Sequence, residues 1–400
     1  MTPDLRTARS RAILTFVLAG LMCGTFTVRI PALTDKLGLS EASVGVVLLA
    51  WGVGALVTMQ SMRGVMARAG SRSVLRVGAP LCAASLLGVA FAPSFPAMVV
   101  AAGLFGMFFG AVDVAMNAQG SAVERAYGRP LMNGMHAGWC VGAMSAGLLG
   151  TVAISAGVSF TANLTAVALV SAPGAYLLSR GFLPDTVSVR TGSGRARRRM
   201  PPVVYLLGAI AFGAFMVEGA VADWNGLFLR DTIGVPEAVA ALGYPIFEAG
   251  MLLSRLTGDR LRTAVGARRL IMAAGLGTAA TFALVITTSS PVVAVGGMIL
   301  IGLAVATVSP MAISLAGSAT GTPGPAIAQT GAMGYAGLLL GPVVIGFLSH
   351  AATLRAALGV AVVLGVFIAV AAHFLPRSET RTDGAEIHEL TDRKPLKLAA

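Results

Sequence analysis

The sequence predicts an all-α membrane protein of twelve transmembrane helices, arranged as two pseudo-symmetric six-helix bundles. Three observations lead there. Hydrophobic residues make up 56% of the 400 and charged residues 12%, with a mean hydropathy of +0.82, whereas a soluble domain carries about 25% charged residues. The apolar residues gather into runs too long and too numerous for soluble domains. The second half of the chain also repeats the first at an offset of 196 residues.

The repeat involves residues that are scarce here. Asp35-x-x-Gly38-x-x-Glu41-Ala42 falls on Asp231-x-x-Gly234-x-x-Glu237-Ala238. Gly54 then meets Gly250, Gly70 meets Gly266, Arg72 meets Arg268 and Gly106 meets Gly302; after a one-residue slip Pro130 meets Pro325 and Gly142 meets Gly337. Glycine coincidences mean little in a chain with 50 glycines. With only 17 acidic residues, two Asp and two Glu matching in one short block mean much more. Duplicated helical bundles of this kind commonly hold a solute between their halves.

Taken in order, the first bundle is predicted from apolar runs at about Ile13–Val28, Val44–Met62, Val74–Phe91, Phe95–Ala122, Leu131–Ala156 and Phe160–Ser179. The second comes from Val203–Leu229, Ala238–Leu256, Leu270–Thr287, Val292–Gly317, Ala326–Leu348 and Leu354–Leu375. Each is long enough, or nearly so, for a helix rising ~1.5 Å per residue through a ~30 Å hydrocarbon core. The short alternating segments of barrel strands are missing. The chain therefore divides into a first bundle at 1–182, a linker at 183–202, a second bundle at 203–376 and a polar, mixed-charge tail at 377–400.

Charge placement sets the orientation. Of the 29 Arg and Lys, only Arg29, Lys36, Arg230 and Arg355 fall on the connections opposite the termini. By the positive-inside bias both termini are expected in the cytoplasm. That bias absorbs the net charge of +12, and no basic stripe with interleaved aromatics points to nucleic acid. The first run continues into Arg29-Ile30-Pro31 without a small-residue cleavage site, against a secretory signal peptide. The linker, with Thr191-Gly-Ser-Gly-Arg195-Ala-Arg197-Arg198-Arg199 before Pro201-Pro202, reads as flexible and as a topology determinant; its arginines are also suited to anionic lipid headgroups.

Several chemistries are set aside. Cys23, Cys82 and Cys140 lie in predicted helices at spacings of no metal or redox motif and read as small buried thiols. No phosphate-cradling G-x-x-x-x-G-K-[ST] loop occurs, which excludes an ATP motor in this chain. No H-E-x-x-H and no buried catalytic pair suggests an enzyme. No cofactor is called for. A small-molecule solute, protons and membrane lipids are the expected partners, and the chain is expected to act as a monomer.

The loop Arg63-Gly64-Val65-Met66-Ala67-Arg68-Ala69-Gly70-Ser71-Arg72 resembles the G-x-L-x-D-R-x-G-R-R loop of the major facilitator superfamily. Its repeat partner, Gly258-Asp259-Arg260-Leu261 leading to Gly266-Ala267-Arg268-Arg269, resembles the same motif with a longer spacer. The resemblance implies gating loops carried by Arg63, Arg68, Gly70, Arg72, Asp259, Arg260, Gly266 and Arg268. Ala67 stands where an acid is usual. Gly110-Ala-Val-Asp113-Val-Ala-Met-Asn117 and Arg129-Pro-Leu-Met-Asn133-Gly-Met-His136-Ala-Gly-Trp139 resemble helices of fucose-permease-like sugar/proton symporters. With Glu218-Gly-Ala-Val-Ala-Asp223-Trp224, the chain is similar to bacterial inner-membrane proteins that include rhizopine-transport-like members. These resemblances imply the inner membrane and a small, polyol-type solute. Thr27, four residues before Pro31, stands where those symporters carry an acid.

Polar groups at membrane depth are costly unless they face a cavity or a partner, which makes them the candidates. Gly106, Gly110, Asp113, Asn117 and Gly120 follow one helical stripe, read as lining a central cavity with Asp113 as proton carrier or substrate ligand; a structural tie from Asp113 to a His or Arg is the alternative. His136 is placed to relay protons with Asp113 or to pack as a hydrogen-bonded histidine. Asn133 offers a substrate hydrogen bond, and Trp139 an aromatic face for a sugar or a packing surface. Glu218 and Asn225 share a face of helix seven, with Asp223 turned ~140° away. Arg29 is expected to pair with Asp223 or Glu218 when the outer gate closes, or else to anchor helix ends. Glu248 lies near mid-membrane in helix eight, whereas Arg255 and Asp259 read as gate-loop structure. The leading expectation is a proton-coupled symporter of a small polar solute; the alternative is an efflux antiporter for a metabolite or drug.

Overall fold

The structure, a computed structural model, describes residues 4–128, 131–184, 200–319 and 323–376. Most of the expected linker, and all of the tail at 377–400, lie outside the described residues, as do the side chains of Arg63, Asn133 and Asp259. The chain begins with α1 (Leu5–Val28), the short α2 (Ile30–Leu37), α3 (Glu41–Phe91), α4 (Phe95–Tyr127), α5 (Met132–Ser155) and α6 (Phe160–Ser179). Next come α7 (Pro202–Leu227), widened at its end into a π turn (Phe228–Thr232), the single turn α8 (Glu237–Ala240), α9 (Gly243–Val265) and α10 (Ala267–Thr287). The last are α11 (Pro291–Val305), α12 (Val308–Ser318), α13 (Pro323–Ala351), α14 (Leu354–Ala357) and α15 (Gly359–His373).

Among the described residues, 11 helical segments are long and apolar enough to cross a membrane. Helix α9 is comparable at 23 residues but carries Glu248, Arg255, Asp259, Arg260 and Arg262; these charges keep it below that standard of apolarity. It also continues to Val265, beyond the apolar run that ends at Leu256. Helix α3 holds two spans, Glu41–Met62 and Arg68–Phe91. The segment after its first span, expected as a loop, is helical except at Gly70, whose φ of 74° breaks the path. That left-handed region is open to glycine at little cost.

Packing reproduces the sequence repeat. In the first half α1 lies on α5, and α3 on both α4 and α6; in the second, α7 lies on α13, α9 on α11 and α10 on α15. The contacts between halves are related in the same way, α5 against α9 and α13 against α3. A methyl added to Gly106 would strike the carbonyl of Trp51, and one on Gly302 that of Phe247; each pair is related by the same 196 positions. Gly70 and Gly266 share the left-handed backbone, as do Gly38 and Gly234. The duplication is therefore visible as identical backbone approaches.

Candidate functional site

Charged side chains gather where the halves meet, and two of them reach across. On α7, Glu218 accepts a hydrogen bond from Ser309 of α12 at 3.0 Å and faces Arg255 of α9 at 3.7 Å. Arg255 also donates to the Cys140 sulfur of α5 at 3.0 Å, across the two halves. Glu248 hydrogen-bonds with Cys140 and with Tyr244, while its Oε2 has no partner although the residue is only 4% exposed. A carboxylate at such depth is tolerable when cations and donors compensate it, and the Arg255–Cys140–Glu248 chain supplies them from both halves.

A second link crosses the halves nearby. Tyr335 of α13 donates to Asp113 Oδ2 at 3.1 Å, and Asn117 donates to Asp113 Oδ1 at 3.3 Å and to its carbonyl at 2.8 Å. Tyr335 stacks on Phe215, with ring centroids 5.7 Å apart. On the other wall Trp51, Phe109 and Trp139 form a run of aromatic contacts at 5.5 and 5.7 Å. Asp223 of α7 makes no hydrogen bond among the described residues. Its charge acts on Cys23 of α1, a thiol also within electrostatic range of Asp113 and Glu248. Asp113, Asp223, Arg255, Trp139 and Cys23 are all partly accessible.

The two halves are tied together at one end. Arg230, in the π turn, donates to Asp35 at 2.8 Å, to the Pro31 carbonyl at 3.0 Å and to Thr34 at 3.2 Å, joining α7 to α2. Further contacts on the same side press Gly226 on Pro31, Gly147 on Pro245 and Gly45 on Pro342. Toward the end that carries the termini, Gly134 and Gly331 meet nothing and His136 is exposed.

These positions revise several expectations. The glycines of the helix-four stripe face neighbouring helices: Gly106 and Gly110 press on α3 backbone, Gly120 on Met132 and Met135; Asp113 reaches the other half through Tyr335, and Asn117 bonds back to Asp113. His136 does not meet Asp113; its ring stands edge-on to Phe16 at 5.1 Å and senses Arg255. Arg29 pairs with neither Asp223 nor Glu218. It is buried, donates to the Val158 carbonyl at 3.2 Å and lies near Glu237, so the link at that end is made by Arg230. Asn225 turns back on its own helix, donating to the Val221 carbonyl at 2.6 Å. Arg255, expected in a gate loop, instead lies between Glu218 and Glu248, and Cys140 is a polar partner of both Arg255 and Glu248. In the loops, Arg68 and Arg260 are exposed, Arg72 is half-buried, and Arg268 meets His373 at 3.4 Å. Tyr335, Tyr244 and Ser309 were missed; no local motif marks them.

Comparison with known proteins agrees with this architecture. A transporter of Sinorhizobium fredii, named as uncharacterised, is 34% identical over 90% of this chain and 95% of its own length. The membrane protein MosC of Rhizobium meliloti is 29% identical over 90% of this chain and 88% of its own. Among solved structures, a point mutant of the nucleoside transporter NupG superposes with a TM-score of 0.75 at 17% identity, covering 92% of this chain and 99% of that one. A D-xylose–proton symporter gives 0.74 at 16%, covering 92% and 98%. The family model described as Major Facilitator Superfamily matches residues 12–324 and, in a second overlapping placement, 207–398. With this match over most of its length, and with helix packing that repeats between its two halves, the chain belongs to the Major Facilitator Superfamily of transporters.

Proposed function

We propose that this transporter is a proton-coupled symporter of a small, hydroxylated solute, operating by alternating access as the two halves rock about the central opening. The observation that carries the reading is Asp113, a membrane-depth carboxylate hydrogen-bonded across the halves to Tyr335. Protonating Asp113 weakens its capacity to accept from Tyr335, which ties the proton to the closure of one half on the other. Asn117 and the aromatic run of Trp51, Phe109 and Trp139 offer the amide and ring faces that hydroxylated ligands use. The D-xylose–proton symporter and NupG, as fold neighbours, favour a solute of that size. We further place the chain in the inner membrane as a monomer, with both termini and the linker at 183–202 cytoplasmic and no enzymatic activity. The conformation described is then inward-facing.

The test is uptake into proteoliposomes under an imposed pH gradient, across sugars, polyols and nucleosides. Symport predicts accumulation driven by inward proton flow, and Asp113→Asn should reduce gradient-driven accumulation by more than about tenfold while leaving exchange of solute measurable. Accumulation driven by outward proton flow would identify an antiporter instead. Full gradient-driven uptake by Asp113→Asn would remove its assigned role.

A further inference from the structure

A cavity of about 420 Å³ lies between the first turns of α1 and the last turn of α6. Arg6, Thr7, Ser10, Arg11 and Leu14 line it from α1, and Leu177 and Leu178 from α6. The five α1 positions fall on one face of that helix. Its volume is in the range of sites that hold small ligands. Polarity changes along it: Arg6, Thr7, Ser10 and Arg11 precede the apolar run that begins at Ile13, whereas the three leucines belong to apolar runs. Leu14 and Leu177 are 48% and 54% exposed. Nine residues separate Leu14 from Cys23, which at about 100° per residue sets them on opposite sides of α1. Cys23 feels the central acids, so this cavity is separate from the centre. No acid lines it. One Arg11 nitrogen donates to the Leu177 carbonyl at 2.9 Å, while the side chains of Arg6, Thr7 and Ser10 make no hydrogen bond among the described residues. Asp4, one turn away, accepts from the backbone N–H of Arg6 at 3.4 Å.

We propose that this cavity seats an anionic phospholipid of the adjoining leaflet, with its phosphate at Arg6 and Arg11 and its first methylenes on Leu14, Leu177 and Leu178. Guanidinium groups present forked donors that match phosphate oxygens, and the Thr7 and Ser10 hydroxyls add two more donors. Free phosphate would satisfy the arginines but leave the leucine part of the cavity uncovered. A zwitterionic lipid would bring its own cation beside two guanidinium groups, so a net negative headgroup is favoured. The polar and apolar linings meet at the ends of two membrane spans, the level at which headgroups give way to acyl chains. Arg11 already joins α1 to α6 through Leu177, and the lipid adds a second bridge between the same helices. The site is independent of the transported solute and can be measured without any transport.

The test titrates the delipidated, full-length protein in detergent with dioleoylphosphatidylglycerol or dioleoylphosphatidylcholine and counts bound lipids by native mass spectrometry. The first phosphatidylglycerol should bind at least about tenfold more tightly than the first phosphatidylcholine. Arg6→Gln, at an exposed side chain, should reduce that preference severalfold. Ser10→Phe, which fills the cavity without changing its charge, should do the same, whereas Arg6→Lys should retain most of it. Arg269→Gln removes an exposed charge from the second half and should leave the first adduct unchanged. Unfolding midpoints in detergent confirm that each variant is folded. Equal affinity for the two lipids, or a preference that survives both Arg6→Gln and Ser10→Phe, would overturn the proposal. A loss with Arg269→Gln as large as that with Arg6→Gln would replace the site with diffuse attraction and overturn it as well. Inorganic phosphate that displaces the lipid at equal concentration would overturn the phospholipid as the occupant.

Discussion

At the scale of single residues, the centre is a problem of compensating charge. Arg255 lies between two carboxylates of the second half and a thiol of the first. Replacing it with Ala leaves Glu218 and Glu248 without their cation, and breaking a buried pair of this kind costs about 3–5 kcal/mol. Glu218 and Arg255 keep 14% and 23% of their side chains accessible, so the cost falls toward the low end, about 2–3 kcal/mol. Arg255→Ala should therefore lower the thermal midpoint in detergent, and adding Glu218→Gln should recover at least half of the loss. An unchanged midpoint in Arg255→Ala would show that the arginine neutralises nothing. Sequence made the acids visible, because an acid in an apolar run stands out against its neighbours. Their partners were hidden for the opposite reason: Cys140 is 115 residues from Arg255, and Tyr335 is 222 from Asp113. A thiol or a phenol in an apolar helix looks like ordinary filling until the helix opposite is known.

At the scale of elements, glycine decides how near two helices come. Gly106 and Gly302 each admit a neighbour's carbonyl where a side chain would collide, so Gly106→Ala and Gly302→Ala should each cost about 1–3 kcal/mol, and by similar amounts because the two sites repeat one geometry. Gly64 has open space around its added methyl; Gly64→Ala should be neutral or stabilising by up to about 1 kcal/mol, the ordinary helix preference for alanine. Thermal unfolding of the three variants in one detergent measures this. The repeat was legible because spans one and seven, or two and eight, face equivalent neighbours and keep the same small residues for the same contact. Helix α9 was harder to place. Its charges serve the centre and the adjacent loop, so its apolar run ends at Leu256 although the helix continues to Val265.

For the molecule as a whole, the two ends differ in what holds them. The closed end is tied by Arg230 to α2 and by backbone approaches across the halves, whereas Gly134 and Gly331 at the other end have open space around them. An exposed ion pair contributes little alone, about 0–1 kcal/mol, so the closure depends on the whole set of contacts and can be released by a modest change at the centre. Cysteines introduced as Asp35→Cys and Arg230→Cys and joined by a short bifunctional methanethiosulfonate should arrest flux by at least about tenfold, with recovery on reduction. Undiminished flux through the bridged protein would refute a moving closure at this end. The role expected of Arg29 went instead to Arg230 because the first helix stops at Arg29 and restarts as α2, while α7 runs on.

That continuation passes through the widened turn at Phe228–Thr232. A π turn accommodates one residue more than α-helical winding would, and each residue of helix turns the following side chains by about 100°. The extra residue therefore works as a shim that aims the guanidinium at Pro31, Thr34 and Asp35. Trimming a single position from this stretch would swing that side chain away from α2 without altering any group at the centre, leaving a carrier with its chemistry whole and its far door unlatched.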